Sequence, residues 1–229
     1  MTDLKEKIMR AITLVLLVAI AGVATACHGL ANSVRGSGKR IVQKRDIGDF
    51  KSISTEGAYE LRVVCQKDAS LEIEGDDNIL AVITAEVSNG VLRLKSLRNY
   101  SSSEPIMVRI SVPNLEGLSV SGAGKTDVDG INNERFEIDA NGAATIKVAG
   151  TTKVLDISAN GASKIDTHKL ASARAVVESN GVSKIDVDVK DQLDVTIAGP
   201  STVTYEGDPV VKKTIHGPGK LERKATEGA

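Results

Sequence analysis

The chain has 229 residues, 29 basic against 30 acidic side chains, no Trp, and only Phe50, Tyr59, Tyr100, Phe136 and Tyr205 as aromatics. That length holds one sizeable domain behind a targeting segment, and the shortage of aromatics dictates an aliphatic core. A formal charge near zero excludes the broad basic footprint that nucleic acid requires, so no nucleic-acid partner is expected.

Lys5, Lys7 and Arg10 precede an uncharged run from Ala11 to Ala26. The run is too short to span a bilayer comfortably and suits a signal peptide over residues 1–26. Ala24-Thr25-Ala26 supplies small residues for cleavage, and Cys27 follows at once. This resembles a bacterial lipobox, in which the cysteine is lipidated and becomes the new N-terminus. Ala24 stands where leucine is usual, so a plain cut after Ala26 and a soluble secreted protein is the alternative. Cleavage leaves 26 basic and 28 acidic residues, a net charge of −2. Residues 27–48 read as a tether leading into the first strand. Its Arg35, Lys39, Arg40, Lys44 and Arg45 suit either anionic headgroups or a solvated linker that runs into an edge strand.

From residue 49 to 115 the pattern is strand-like but irregular. FKSISTEGAYELRVV, SLEIEG, AVITAEVSNGVLRLKS and IMVRISVP alternate or run apolar between turn residues. Asn89-Gly90 fits a type I′ hairpin, and antiparallel strands are expected in this half. Cys65 shares a face with Leu61 and Val63, which predicts a buried, inert thiol; a Cys27–Cys65 disulfide in an oxidising compartment is the rival. Glu74, Asp76 and Asp77 read as a small solvated acidic turn.

Residues 116–224 repeat. Six segments, among them NGASKIDT and NGVSKIDV, carry Gly122, Gly142, Gly161, Gly181, Gly199 and Gly217 at steps of 20, 19, 20, 18 and 18 residues. A step this short marks a stacked repeat, because one rung cannot bury its own apolar face. The fold predicted is all-β: a parallel β-solenoid of 18–20-residue rungs, two strands meeting at each glycine corner, with a less regular N-terminal β region and a tail at 225–229. Residues four and six after each glycine face in, from Thr126 and Val128 to Val203 and Tyr205, then Leu221 and Arg223. So do those before it, such as Phe136, Ile138 and Ala140 or Leu193, Val195 and Ile197. Glycine suits the corner because it takes positive φ without a Cβ clash, and Asn141, Asn160 and Asn180 just before it are placed to stack into an amide ladder.

The outward columns are charged in order. Lys125, Lys164 and Lys184 stand three residues after their glycines, and Asp127, Asp166 and Asp186 stand five after. Lys164 is expected beside Lys184 and near Asp166. These six residues form a candidate contact face for a polymer or cell surface, or simply a solvated one.

From about Gly36 to Lys224 the chain resembles the bacterial family described as putative auto-transporter adhesin, head GIN domain. The resemblance is carried by the GSGK opening, RDIGDFKSISTEGAYELRVV, VSNGVLRLKS, VRISVPNLEGLSVSGAG and the glycine corners ending in HGPGKLER. Many family corners read Ser-Gly-Ala-Gly-Asp; here only Ser121-Gly122-Ala123-Gly124 keeps that form, followed by Lys125. The resemblance implies a β-solenoid in the cell envelope, often behind a lipoprotein-type signal, and supplies no catalytic residues.

Chemistry finds little purchase in the sequence. His28, His168 and His216 are scattered, and Asp127-Val128-Asp129-Gly130 begins like a calcium loop but lacks its remaining ligands. No metal, cofactor or catalytic residue is expected. The function expected is a non-enzymatic envelope module, exported to the periplasm or anchored at the outer membrane through lipid on Cys27. It would bind a polysaccharide, lipid or protein partner, or act as a spacer. The alternatives are a polysaccharide lyase or hydrolase on a β-helix, and a lipid-binding or sensor module, which exposure of Val203 and Tyr205 would favour.

Overall fold

The computed structural model describes residues 33–224. The expected signal peptide, Cys27, His28 and the tail at 225–229 lie outside the described residues. In chain order the strands are β1 (Val34–Arg35), β2 (Arg40–Arg45), β3 (Ser52–Glu56), β4 (Tyr59–Cys65), β5 (Ser70–Asp76), β6 (Ile83–Ser88), β7 (Val91–Ser96), β8 (Tyr100–Ser101) and β9 (Ile106–Val112). They continue with β10 (Gly117–Gly122), β11 (Lys125–Gly142), β12 (Thr145–Ala159), β13 (Lys164–Asn180), β14 (Lys184–Ala198), β15 (Thr202–Glu206), β16 (Val210–His216) and β17 (Lys220–Arg223). One helical turn, α1 (Asp77–Leu80), follows β5.

The four long strands β11 to β14 bend midway, so each contributes to two walls. The front wall runs β17-β15-β14-β13-β12-β11-β4-β9 and the back wall β16-β14-β13-β12-β11-β10-β3-β7, every pair parallel. This is a β-solenoid of about five turns. Only the N-terminal end is antiparallel, where β2 and β5 extend the front wall and the β6–β7 hairpin closes the back one. Asn89 and Gly90 turn that hairpin with φ of 52° and 74°, both positive as a type I′ turn requires. Elsewhere the expectation of antiparallel strands in the N-terminal half fails. β3 and β4 flank a further glycine corner at Gly57, which stacks directly against Gly122. They are thus a rung of the solenoid, parted from the next by a long excursion through β5 to β9.

Between the walls lies one aliphatic core, with Phe136, Ile138, Ile146, Ile157, Ile165, Val177, Ile185, Val195 and Val203 each at most 2 % exposed. Each such side chain contributes roughly 1.5–3 kcal/mol, so the inward columns dominate stability. Tyr205 departs from its expected burial and is only half-buried, because the terminal strand β17 covers it with Arg223 alone.

Polar ladders run beside the core. Asn160 Nδ2 donates to Asn141 Oδ1 at 3.2 Å and Asn180 Nδ2 to Asn160 Oδ1 at 3.1 Å, the amide ladder expected outside the corner. Inside it, buried Ser183 and Ser201 donate to the carbonyls of Gly161 and Gly181 in the rung before, and the Ser183 N–H donates to Ser201 Oγ at 2.9 Å. These serines satisfy backbone groups that the sharp turn would otherwise orphan in the interior.

The N-terminal end is clasped by the GSGK segment. The Ser37 N–H donates to Asn78 Oδ1 at 3.0 Å, Ser37 Oγ donates to Asp77 Oδ1 at 2.7 Å, and the Asp77 N–H donates to the Lys39 carbonyl at 3.0 Å. Residues 40–45, within the expected tether, are β2 and pair with β5 along its length. The acidic turn is not uniformly solvated either. Asp76 is 3 % exposed, and Glu74 pairs with Arg40 and Arg109. Gly36 makes room for the Asp76 carboxylate, which a Cβ there would strike. Cys65 is buried and, among the described residues, free, and burial pushes its thiol up to about 11.

Candidate functional site

Strict two-residue alternation sends every second side chain of the front wall outward, and parallel register turns those side chains into columns. The first column runs Glu60, Lys125, Thr145, Lys164, Lys184, Thr202 and Lys220; the second runs Arg62, Asp127, Lys147, Asp166, Asp186, Thr204 and Glu222. The structure therefore places all six candidate contact residues on one surface, with neighbours in adjacent strands about 4.8 Å apart. Lys125 pairs with Asp127 at 3.4 Å. Asp166 turns instead to His168, whose Nδ1 shares a short hydrogen bond with it. Lys164 and Lys184 are exposed and make no ion pair among the described residues.

The second corner explains the change of partner. Past Asp166 and Asp186 the strands reach the second corner, where His168, Asp188 and Glu206 stand. Burial works against a charge on Asp166, yet hydrogen bonds from His168, with the charges of His168 and Lys147, hold its carboxyl below the ordinary value. Asp188 goes the other way: burial and its register neighbour Glu206 push its carboxyl up, and His168 only partly offsets them.

His168 stands between two surface depressions of about 330 and 340 Å³. Arg62, Val64, Asp127, Lys147 and Ala149 help to line the first; Lys184, Asp186, Thr204 and Glu206 help to line the second. The sequence reading set His168 aside as isolated, although Asp166-Thr167-His168 puts acid and imidazole on one side of one strand. No hydroxyl or thiol hydrogen-bonds that imidazole among the described residues. Nor are any three His, Cys, Asp or Glu side chains placed there to hold a metal ion, the Asp127 to Gly130 turn included.

The back wall differs. Its outward side chains include Glu137, Asp139, Asp156, Glu178 and Asp194, an acidic set that the glycine alignment left unassigned. Arg135 answers Asp156 at 2.9 Å and Lys153 answers Glu134 at 2.7 Å. The back wall also carries outward Arg93, Lys95, Arg174 and Lys212, so both walls are of mixed charge. Both are broad, ordered and solvent-facing, a geometry that suits contact with something extended.

Residues 49–209 match the family described as putative auto-transporter adhesin, head GIN domain. No curated protein matches. Among solved structures the chain is similar to a putative adhesin from Bacteroides fragilis NCTC 9343, with a TM-score of 0.68 and 19 % identity over 84 % of this chain and 100 % of that one. It is also similar to a putative lipid binding protein from Parabacteroides distasonis ATCC 8503, with a TM-score of 0.52 and 17 % identity over 84 % of this chain and 100 % of that one. At such identities the likeness shows the shared fold.

Proposed function

Given that the chain belongs to the family of the putative auto-transporter adhesin head GIN domain, we propose that it is a non-enzymatic envelope-binding module that engages an extended surface ligand through its front wall. One observation carries this reading: Lys164 and Lys184 are register partners, exposed and without an ion pair among the described residues, in a column flanked by Asp166 and Asp186. Unpaired cations beside ordered carboxylates and threonines suit a polymer of repeating polar units better than a compact substrate. Lipid on Cys27 would hold the module to a membrane, with the clasped N-terminal end nearest to it. The adhesin name of the Bacteroides fragilis structure agrees with this reading.

Purified mature protein should be retained by one of peptidoglycan, outer-membrane lipid vesicles or envelope proteins. Retention should fall when Lys164→Glu and Lys184→Glu are combined; unchanged retention would sink the front-wall assignment. Cys27→Ser should abolish lipid labelling and move the protein out of the membrane fraction.

A second reading has its own observation, since Asp166, Asp186 and Glu206 line one depression beside His168. A polysaccharide hydrolase there would release reducing ends from envelope glycans, and Asp186→Asn would stop the release. Intact glycan after prolonged incubation removes this alternative.

A further inference from the structure

Two of the three tyrosines of this aromatic-poor chain meet in one place. Phe50 and Phe136 are core residues and Tyr205 sits at the far end, whereas half-buried Tyr100 and the buried Tyr59 both line a depression of about 570 Å³ at the edge of the front wall. That volume falls in the range of small-ligand sites, roughly 300–1,000 Å³. Ser101, Ser102 and Ser103 line it on one side, and Glu60 and Lys125 on the other.

The loop carrying the serines is held from behind. The Gly36 N–H donates to the Ser101 carbonyl at 2.8 Å, Arg40 donates to the Pro105 carbonyl at 3.2 Å, and Arg40 pairs with Glu104 at 3.4 Å. Tyr100 Oη donates to the Ala58 carbonyl at 3.1 Å and so ties the loop to the glycine corner. Against this fixed frame, the side-chain hydroxyls of Ser101 and Ser103 make no hydrogen bond among the described residues, and Glu60 makes no ion pair. The Tyr59 hydroxyl, in a residue only 4 % exposed, has no hydrogen-bond partner among the described residues. The depression therefore combines the half-buried Tyr100 ring, the uncommitted hydroxyls of Ser101 and Ser103 and a carboxylate on a preorganised support.

That combination selects a ligand class. A pyranose ring offers polarised C–H groups to an aromatic face and a girdle of hydroxyls to serines and a carboxylate. A bare anion would meet Glu60 and Glu104, with Lys125 already turned to Asp127. We infer that this depression binds one or two neutral or N-acetylated sugar rings of a surface glycan. The inference rests on the binding-module reading but occupies a different place from the lysine column of Lys164 and Lys184.

Titration of the mature protein with N-acetylglucosamine, its β-1,4 dimer, galactose, lactose and mannose, followed by calorimetry and by NMR shifts, tests it. At least one sugar should saturate, with shifts at Tyr100 and Ser101 to Ser103. Ala123→Leu should weaken that sugar about tenfold or more. This exposed corner residue lines the depression, and the matching corner of a later rung carries exposed Val182, so added bulk there is compatible with the fold. Tyr100→Leu should weaken it likewise, with a thermal melt to confirm folding. Combined Lys164→Glu and Lys184→Glu should leave sugar affinity unchanged. Absence of saturation by all five sugars, or saturation indifferent to Ala123→Leu, overturns the inference. Glycan retention lost only on the lysine reversals would do so as well, while leaving the front-wall proposal standing.

Discussion

A Cβ built on Gly161 would lie 2.3 Å from the carbonyl oxygen of Gly142 in the preceding rung and 2.9 Å from its nitrogen. The corner glycines thus act as spacers: their bare α-carbons set how closely successive rungs stack. Gly161→Ala must push the rungs apart and disturb the bond from the Ala162 N–H to the Gly142 carbonyl, 2.8 Å long. Backbone is the obstacle, so relief is expensive, about 3 kcal/mol. Thermal denaturation should show a fall of roughly 6–12 °C for a domain of this size. Gly48→Ala, where nothing lies within 4 Å, should melt with the native protein. Equal melting of both variants would remove the spacer role.

Ser201 tests the inner ladder. Its hydroxyl donates to the Gly181 carbonyl at 2.9 Å and accepts from the Ser183 N–H at 2.9 Å and from Ser179 Oγ at 2.8 Å, at 1 % exposure. Ser201→Ala strands a buried N–H and should cost about 1–3 kcal/mol in chemical denaturation. A loss no larger than that of an exposed serine, such as Ser88→Ala, would mean that the corner relaxes to satisfy itself.

The positions of the corners, the inward columns and the asparagine ladder were legible because each follows from a period counted along the chain. The reason for the glycines was only half legible. Gly122 takes a φ of 133°, as a conformational argument requires, but Gly181 lacks a positive φ and is held to glycine by the Gly161 carbonyl 2.2 Å from where its Cβ would be. Close approach between rungs belongs to the stack and is invisible in one rung. The serine ladder left a trace in Ser163, Ser183 and Ser201, two residues after their glycines, and alternation alone did not mark it. The rung at Gly57 and the clasp of Ser37 on Asp77 and Asn78 depend on partners 40 or more residues away, where no local pattern points. At the front wall, register put Lys164 beside Lys184 as expected, but the pairing of Asp166 with His168 depended on the second corner.

Cys65 should be chemically silent in the folded protein. Burial pushes its thiol from 9.0 to about 11, with Asp129 adding to the shift, so the nucleophilic thiolate is scarce at pH 8. Alkylation should proceed only on unfolding. An acid raised in the folded state keeps its full stabilising effect below its ordinary value and loses it as pH climbs, so stability should decline between pH 9 and 11. Cys65→Ala should flatten that part of the decline. Rapid labelling at pH 8 without unfolding would contradict the buried placement.

Asp188 is held against its preference for charge. Burial and Glu206 raise its carboxyl above the ordinary 3.8, so ionisation at neutral pH opposes folding. By the same linkage, its contribution is most favourable below that value and is lost as pH rises through the raised one. Asp188→Asn should therefore raise the melting temperature at pH 7. The advantage should shrink toward pH 3, where the native carboxyl is neutral too. A variant that melts lower at pH 7 would show that the charge is held by an attraction strong enough to outweigh both.

The far end of the solenoid carries a device against growth. Lys213 is the register partner of Val195, in an inward column that earlier holds Ile138, Ile157 and Val177. Arg223 is the partner of Tyr205, in a column that holds Val128, Val148, Thr167 and Val187. Both sit on β16 and β17, whose outer edges have no strand beside them among the described residues. An open edge over half-buried Val211, Ile215 and Leu221 invites another rung, and inward charges oppose it because adding one would bury them. Combining Lys213→Val with Arg223→Val should leave the fold intact and produce end-to-end dimers in light scattering, at concentrations where the native protein shows a smaller mass. Restoring Lys213 alone should reverse much of the association. If the double variant keeps the native mass up to its solubility limit, the two charges do not guard the edge, and its protection must come from Pro209, Pro218 and the twist of the last rung.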